Sequence, residues 1–303
     1  MRARLATRSV LVVSIVAALC VAVLSTRGAG VADGATPAPV LVSVAGDIAC
    51  GTTVAAYNGG AGTVTQCHQK YTSDLILGSD AVWTLGDHIY PTATTTQLNA
   101  VYQPTWGRMK AVTYPSLGDH DHSATGDVGF LSYFGNPAPY YSFDMGGWHV
   151  ISLDSEIDHS ADSVQVAWLR QDLAASAAGC VAAYWGEPRW TSGKQRASHQ
   201  TFDPFWQVLY AAHADLVVSG DTHNYERFAK VAPSGLPATD GIREFVVGTG
   251  GRSLVGFPIV LASSQVRKKS FGVLQLTLQD GSYGWQFIDE SRTVLDSGSE
   301  TCT

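Results

Sequence analysis

Charge is scarce in this chain, with Asp, Glu, Lys and Arg making up 15% of its 303 residues. What charge there is leans acidic. Setting aside residues 1–35 removes Arg2, Arg4, Arg8, Arg27 and Asp33 from 19 bases and 26 acids, which leaves 15 against 25, near −10. With no basic stripe and no arginine-rich segment, a nucleic-acid partner is not expected. Internal repeats and low-complexity tracts are also missing after the N-terminal run. No two cysteines have the close spacing of a thiolate zinc site.

Long apolar runs are missing too, except at the start. "SVLVVSIVAALCVAVLS", Ser9–Ser25, is uncharged, follows three arginines and gives way to small and turn-forming residues up to about Pro39. It is short for a membrane span, so residues 1–35 read as a secretory signal peptide, with an uncleaved N-terminal anchor as the alternative. Cys20 follows Leu19 and not a small residue, which argues against lipid attachment there. Residues 37–303 are then one exported domain, expected outside the cell. Cys50, Cys67, Cys180 and Cys302 remain, an even number that suggests two disulfides. Three pairings are open, and a local Cys50–Cys67 loop would leave Cys180–Cys302 to tether the C-terminal end.

What the chain does have is a recurring strand ending. "VLVSVAGD", "DAVWTLGD", "AVTYPSLGD" and "ADLVVSGD" are Val/Leu-rich, strand-length, and closed by Gly-Asp at Asp47, Asp87, Asp119 and Asp221. Glycine is expected to permit the tight exit, leaving each acid beyond the carboxyl end of its strand. Four such loops imply convergence on one edge of a sheet, where α/β proteins bind ligands. Between them, Ser163–Ala177 places Val166, Leu169 and Leu173 on one helical face, and Asp203–His213 does so with Phe205, Val208 and Leu209. Asp203 reads as the cap before Pro204. "YYSFDMGGWHVISLDS" reads as a hairpin turning at Gly146-Gly147, and "REFVVGTGG", "GVLQLTLQDGSYGWQFIDE" and "RTVLDSGS" as further strands. The pattern is a layered sandwich with helices outside.

"GDIA", "GDHIY", "GDHDH", "YWGEPRW" and "GDTHNYERF" occur in the order and approximate spacing of the calcineurin-like metallophosphoesterases. They most resemble the purple-acid-phosphatase-like secreted branch, over about Val40 to the C-terminal end. The resemblance implies a four-layer α-β-β-α sandwich of two mixed sheets with flanking helices, and hydrolysis of small-molecule phosphate esters by a metal-activated water. It implies that Asp47, Asp87, Tyr90 and His223 hold a first metal, with Asp87 bridging to a second. For the second metal the family uses an Asn and two His residues, and this chain has Asp119, Gly186 and Asp221 there. Glu187, beside Gly186, is long enough to compensate in part. His120 matches the family's phosphate-side histidine, which assists the leaving group.

Iron is expected at the first site, because a phenolate ligand needs a strongly polarising ion. Manganese, magnesium, zinc or calcium is expected at the second, whose carboxylates suit harder cations. The competing reading is a pseudophosphatase, a secreted binding module on the same scaffold. Glu226 and Arg227 read as a local ion pair, and His88, His122 and His149 as ordinary structural histidines, although His122 lies close enough in sequence to reach the pocket. Trp185 and Trp190 flank the altered motif and are candidates for the pocket mouth.

Overall fold

A computed structural model of the chain describes residues 38–122, 126–193 and 199–303. The run read as a signal peptide lies outside the described residues. The first half contains β1 (Val40–Ala45), β2 (Ala49–Cys50), α1 (Gln69–Thr72), β3 (Ala81–Leu85), β4 (Ile89–Tyr90), α2 (Thr95–Gln97), β5 (Thr113–Ser116) and α3 (Val128–Phe134). The middle contains β6 (Tyr141–Met145), β7 (Trp148–Ser152), α4 (Val164–Ala175), β8 (Cys180–Trp185), α5 (Asp203–Ala211) and β9 (Leu216–Ser219). The last part is strand-only: β10 (Tyr225–Val231), β11 (Ile242–Val247), β12 (Ser264–Lys268), β13 (Gly272–Gln279), β14 (Ser282–Asp289) and β15 (Val294–Thr301).

Two large mixed sheets result, ordered β15-β14-β13-β1-β3-β5 and β12-β10-β11-β9-β8-β7-β6. The first has its parallel strands, β1-β3-β5, at one edge with antiparallel strands on the other side; the second has a parallel centre, β11-β9-β8-β7, flanked by antiparallel strands. The period of two along a strand separates the layers. In β8, Cys180, Ala182 and Tyr184 join the core shared with the six-stranded sheet, where Tyr184 stacks on Trp83 at 5.1 Å. Val181, Ala183 and Trp185 point the other way, onto Val166 and Leu169 of α4 and Phe205, Trp206 and Leu209 of α5. Such strands are buried on both faces and therefore read as continuous apolar runs. Around the first sheet, Leu75, Ile76, Leu98, Val101 and Trp106 complete its core, giving the expected sandwich of sheets and helices.

Several local expectations are met for identifiable reasons. Gly146 and Gly147 turn the β6–β7 hairpin at φ 59° and 85°, the positive values a tight two-residue turn requires. Ser163 caps α4 by accepting from the Val166 amide at 3.1 Å. Cys50 pairs with Cys67, and Cys180 with Cys302. One expectation fails: Phe202, not Asp203, stands at the cap of α5, and Asp203 is its first helical residue. The Asp203 carboxylate accepts from Arg189 Nε at 2.6 Å instead, so its partner comes from another loop.

His149 on β7 joins three elements. Its Nδ1 lies 2.8 Å from Asp144 on β6, and its Nε2 lies 2.8 Å from Asp172 on α4. A carboxylate only accepts, so both contacts are hydrogen bonds only when the ring carries both protons. Burial alone would push the ring's pKa down, but the bonds to Asp144 and Asp172 outweigh it and raise it above the usual histidine value. The stabilisation is therefore complete below the unfolded-chain pKa of about 6.5 and is lost as pH rises through the raised folded value. Asp144 is mostly exposed, so Asp172 carries most of the effect. His149→Gln is expected to cost about 1–2 kcal/mol at pH 5.5 and clearly less at pH 8.5. Urea denaturation of both proteins at the two pH values measures this, and an equal gap at both would remove charge from the account.

Candidate metal centre

The Gly-Asp loops do converge, but from two sheets. Asp47, Asp87 and Asp119 follow the adjacent parallel strands β1, β3 and β5 of one sheet, and Asp221 follows β9 of the other. The ligand edge is thus a seam between sheets, which corrects the expectation of a single sheet edge. The role of the glycines meets expectation at one of the four loops. Gly86 is left-handed at φ 76°, whereas Gly46, Gly118 and Gly220 are not; Asp47, Asp87 and Asp221 are themselves left-handed, at φ 57°, 53° and 58°. Asp tolerates this conformation better than most side chains because its carboxylate bonds locally. The glycines instead let backbones touch: a Cβ at Gly46 or Gly220 would come 2.7 Å from the Leu85 carbonyl oxygen, and one at Gly118 2.4 Å from Asp87 Oδ1.

At the seam, Tyr90 Oη lies 2.5 Å from Asp47 Oδ1, 2.5 Å from Asp87 Oδ2 and 3.0 Å from His223 Nε2. His223 Nε2 is also 2.9 Å from Asp47 Oδ1, while its Nδ1 is held by Ser253 Oγ at 2.6 Å. Four expected ligands thus bring their donor atoms to one place. Asp47 Oδ2 is buried and has no hydrogen-bond partner among the described residues, in space kept open by Gly220 and Gly248. Asp87 is forced upward in pKa first by burial and then by the charges of Asp47, Asp121 and Asp119. Burial and two carboxylates, Asp47 and Asp87, push the Tyr90 phenol up as well. This set fits a metal ion. Ligand bonds of about 2.0–2.2 Å leave neighbouring donors about 3 Å apart, close to the separations here, and a cation would serve the orphaned oxygen.

A second group adjoins the first. Ligand atoms of Asp87, Asp119 and His120 lie within 4.8 Å of one another. The His120 amide donates to Asp87 Oδ1 at 3.0 Å, and its ring Nδ1 donates to the Pro91 carbonyl at 2.7 Å. That bond fixes the tautomer and leaves Nε2 as the ring's other nitrogen, 3.9 Å from Asp119 Oδ1. Asp221 is half-buried at the start of the loop that carries His223. Glu187 is buried, 3.6 Å from His199 Nδ1.

The loop after β7 supplies residues that sequence reasoning missed. Glu156 is raised to about 7, first by burial, then by Glu187, Asp119 and Asp154, against a hydrogen bond from Ser155. Asp154 is raised to about 6, mainly by burial. Gln165 of α4 grips the loop, accepting from the Asp154 amide at 2.8 Å and donating to its carbonyl at 2.9 Å. Ser155 Oγ occupies the space beside Gly186: a Cβ there would stand 2.6 Å from it and 2.9 Å from the Leu117 carbonyl oxygen. A signal was available, since "VISLDSEID" ends a strand in acids as the Gly-Asp runs do, but without the glycine.

Other expectations are corrected by the side-chain contacts. Glu226 and Arg227 do not pair. Glu226 accepts from the Ser192 amide at 2.8 Å, and Arg227 bonds Asp296 on β15. Glu244 on β11 accepts from the Arg189 amide at 3.1 Å, so two buried acids anchor the "EPRWTS" loop from below. Trp185 is fully buried in the outer core, away from any mouth, and Trp190 lies under the Arg189 guanidinium at 3.6 Å. His122 pairs with Asp127 at 2.6 Å and takes no part in the donor cluster.

No protein-family model matches the chain. It is 29% identical over 170 residues to purple acid phosphatase 22 of Arabidopsis thaliana, a match covering 52% of this chain and 38% of that protein. With purple acid phosphatase 23 of the same plant it shares 30% over 163 residues, 44% of this chain and 35% of the other. The chain therefore spans less than two fifths of these relatives' length. Among solved structures, purple acid phosphatase PPD1 from yellow lupin (Lupinus luteus) seeds superposes with a TM-score of 0.70 at 18% identity, covering 88% of this chain and 54% of that one. GAP50, the anchor in the inner membrane complex of Plasmodium, gives 0.65 at 15% identity, covering 88% and 89%. Sequence similarity and fold agree: the chain is similar to purple acid phosphatases over about half its length and has the fold of a purple acid phosphatase.

Proposed function

We propose that the chain is a secreted, metal-dependent phosphoesterase that hydrolyses small phosphate esters, with a second metal position re-specified toward a harder cation. The observation that carries this reading is the meeting of Asp47, Asp87, Tyr90 and His223 around an orphaned buried carboxylate oxygen. Asp87 serves both halves, one oxygen beside Tyr90 and the other accepting from the His120 amide. Iron suits the half with the phenol. Manganese, magnesium, zinc or calcium suits the half built on Asp119, with Asp221, Glu187 and Glu156 as further oxygen donors. When bound, the ions would lower the pKa of water and offset charge on the phosphoryl group.

The remaining work falls to side chains. His120, which donates through Nδ1 to the Pro91 carbonyl, presents Nε2 to the leaving oxygen and can donate there only when the ring carries both protons. Ser253 holds the ring of His223, and the glycines at 220 and 248 keep bulk away from Asp47. Secretion is supported by the N-terminal apolar run and by two disulfides.

A second reading, a catalytically impaired binding module, is favoured by one observation: the place of the family's imidazole at Gly186 is taken up by Ser155. The fold also serves as an anchor, in GAP50 of Plasmodium.

Hydrolysis of p-nitrophenyl phosphate separates the two readings. The folded protein supplied with iron and manganese is expected to turn over, and His223→Ala to lower turnover at least 100-fold. No turnover with any added metal would favour the binding module. Independently, Gly186→His is expected to destabilise the fold by about 1–3 kcal/mol through overpacking, with Ser155→Gly recovering part of it. A thermal melt of Gly186→His that matched wild type would contradict the steric account.

A further inference from the structure

His88 and Asp121 lie a few residues from the donors, and both side chains are fully buried. Asp121 is an acceptor for two loops at once. From the β3 loop it takes the His88 amide on Oδ1 at 3.1 Å and His88 Nδ1 on Oδ2 at 2.8 Å. From its own loop it takes the Gly118 amide on Oδ2 at 3.2 Å. The other ring nitrogen of His88, Nε2, lies 2.8 Å from Thr84 Oγ1 on β3. Because the carboxylate only accepts, Nδ1 carries the ring proton, and Nε2 accepts from the Thr84 hydroxyl. Every contact is satisfied by one neutral ring and one carboxylate. Tyr102, Phe130 and Phe134 surround the ring at 5.4, 5.3 and 4.9 Å between centroids. In such a dry socket, breaking one bond leaves a buried polar atom without a partner.

His88 directly follows Asp87, and Asp121 directly follows His120, so the clamp lies behind the cluster of Asp87, Asp119 and His120. We propose that Thr84, His88 and Asp121 are positioning residues that fix the distance between the Asp87 loop and the Asp119–His120 loop, and thereby the affinity of the second cation position. The inference rests on the cation-binding reading of the proposed function. It explains how two loops that lie beyond the last paired residues of β3 and β5, Leu85 and Ser116, hold donor atoms in mutual reach. At the front of the cluster the His120 amide donates to Asp87, and the clamp reinforces that bond from behind.

The test is calorimetric titration of folded protein, freed of metal, with manganese alone. Wild type is expected to take up a first and a weaker second equivalent. His88→Ala should leave the first in place and weaken the second about 10–100-fold, the effect typical of groups that orient metal ligands. His88→Asn, which restores an N–H near the Nδ1 position, should regain most of the loss. Thr84→Val, nearly isosteric and chosen to keep the fold if His88→Ala does not fold, should shift the second equivalent the same way by less. A purely structural clamp would lower the melting temperature of these variants and leave manganese affinity unchanged in those that fold, which overturns the proposal. No second equivalent in wild type also overturns it. No manganese uptake at all by wild type sinks the cation reading itself, and so separates the two failures.

Discussion

Carboxylates crowded at the carboxyl ends of buried strands repel one another, and the rest of this centre is arranged around that repulsion. Two like charges about 4 Å apart cost roughly 4 kcal/mol at an effective dielectric near 20. Asp87, pressed by Asp47, Asp121 and Asp119 as well as by burial, cannot share that space with its neighbours as a bare anion. Either a proton or a multivalent cation must sit among them. Tyr90 has one proton to offer and two carboxylates at equal distance, and His223 Nε2 reaches Asp47 at Oδ1 only, so hydrogen bonding leaves part of the set unserved. Asp47 Oδ2, buried without a partner among the described residues, is the remainder of that shortage.

The backbone bears the consequence. Three aspartates stand at positive φ, a conformation that costs a side chain about 1–2 kcal/mol. The strain turns each carboxylate back over the end of its strand and toward the seam. Glycine before each aspartate removes the Cβ that would otherwise collide with the next loop, as at Gly46 and Gly220 against Leu85. Glycine and aspartate therefore have complementary roles, since one supplies room and the other direction.

That division explains what the sequence made legible. Apolar runs with a period of two or a continuous character marked the strands, and Gly-Asp marked their functional ends, so Asp47, Asp87, Asp119 and Asp221 were found as strand ends. Helices α4 and α5 were visible from their apolar faces, and the disulfides came from three possible pairings. The linear chain hides which strands share a sheet, so the seam looked like one edge. It also hides side chains that reach across, which is why Arg227 bonded to Asp296 looked like a partner for its neighbour Glu226. Glu156 and Ser155 were missed because their strand ends without glycine. His88 read as a structural histidine, but its partner Asp121 was missed because a buried histidine–carboxylate bond leaves no pattern in sequence.

Where the family resemblance calls for imidazole, this chain offers oxygen, and the change is not confined to single positions. Ser155 stands in the space beside Gly186, and behind it comes Glu156, held by burial and by neighbouring acids near a pKa of about 7. An oxygen-rich surrounding of that kind disfavours softer ions and lowers the cost of replacing a bound cation with protons. The half built on Asp47, Tyr90 and His223 keeps nitrogen and phenol donors and has no such alternative, because its orphaned oxygen finds no other donor among the described residues. The two halves should therefore differ in how tightly they hold an ion, with Asp87 as the ligand through which occupancy of one is felt by the other. If both positions hold cations as proposed, loss of one from the oxygen-rich half would return negative charge to Asp87 and strengthen its hold on the other. With both positions filled as proposed, the protein would be able to shed one ion without surrendering the other, because the shared carboxylate would give its charge to whichever side stayed occupied.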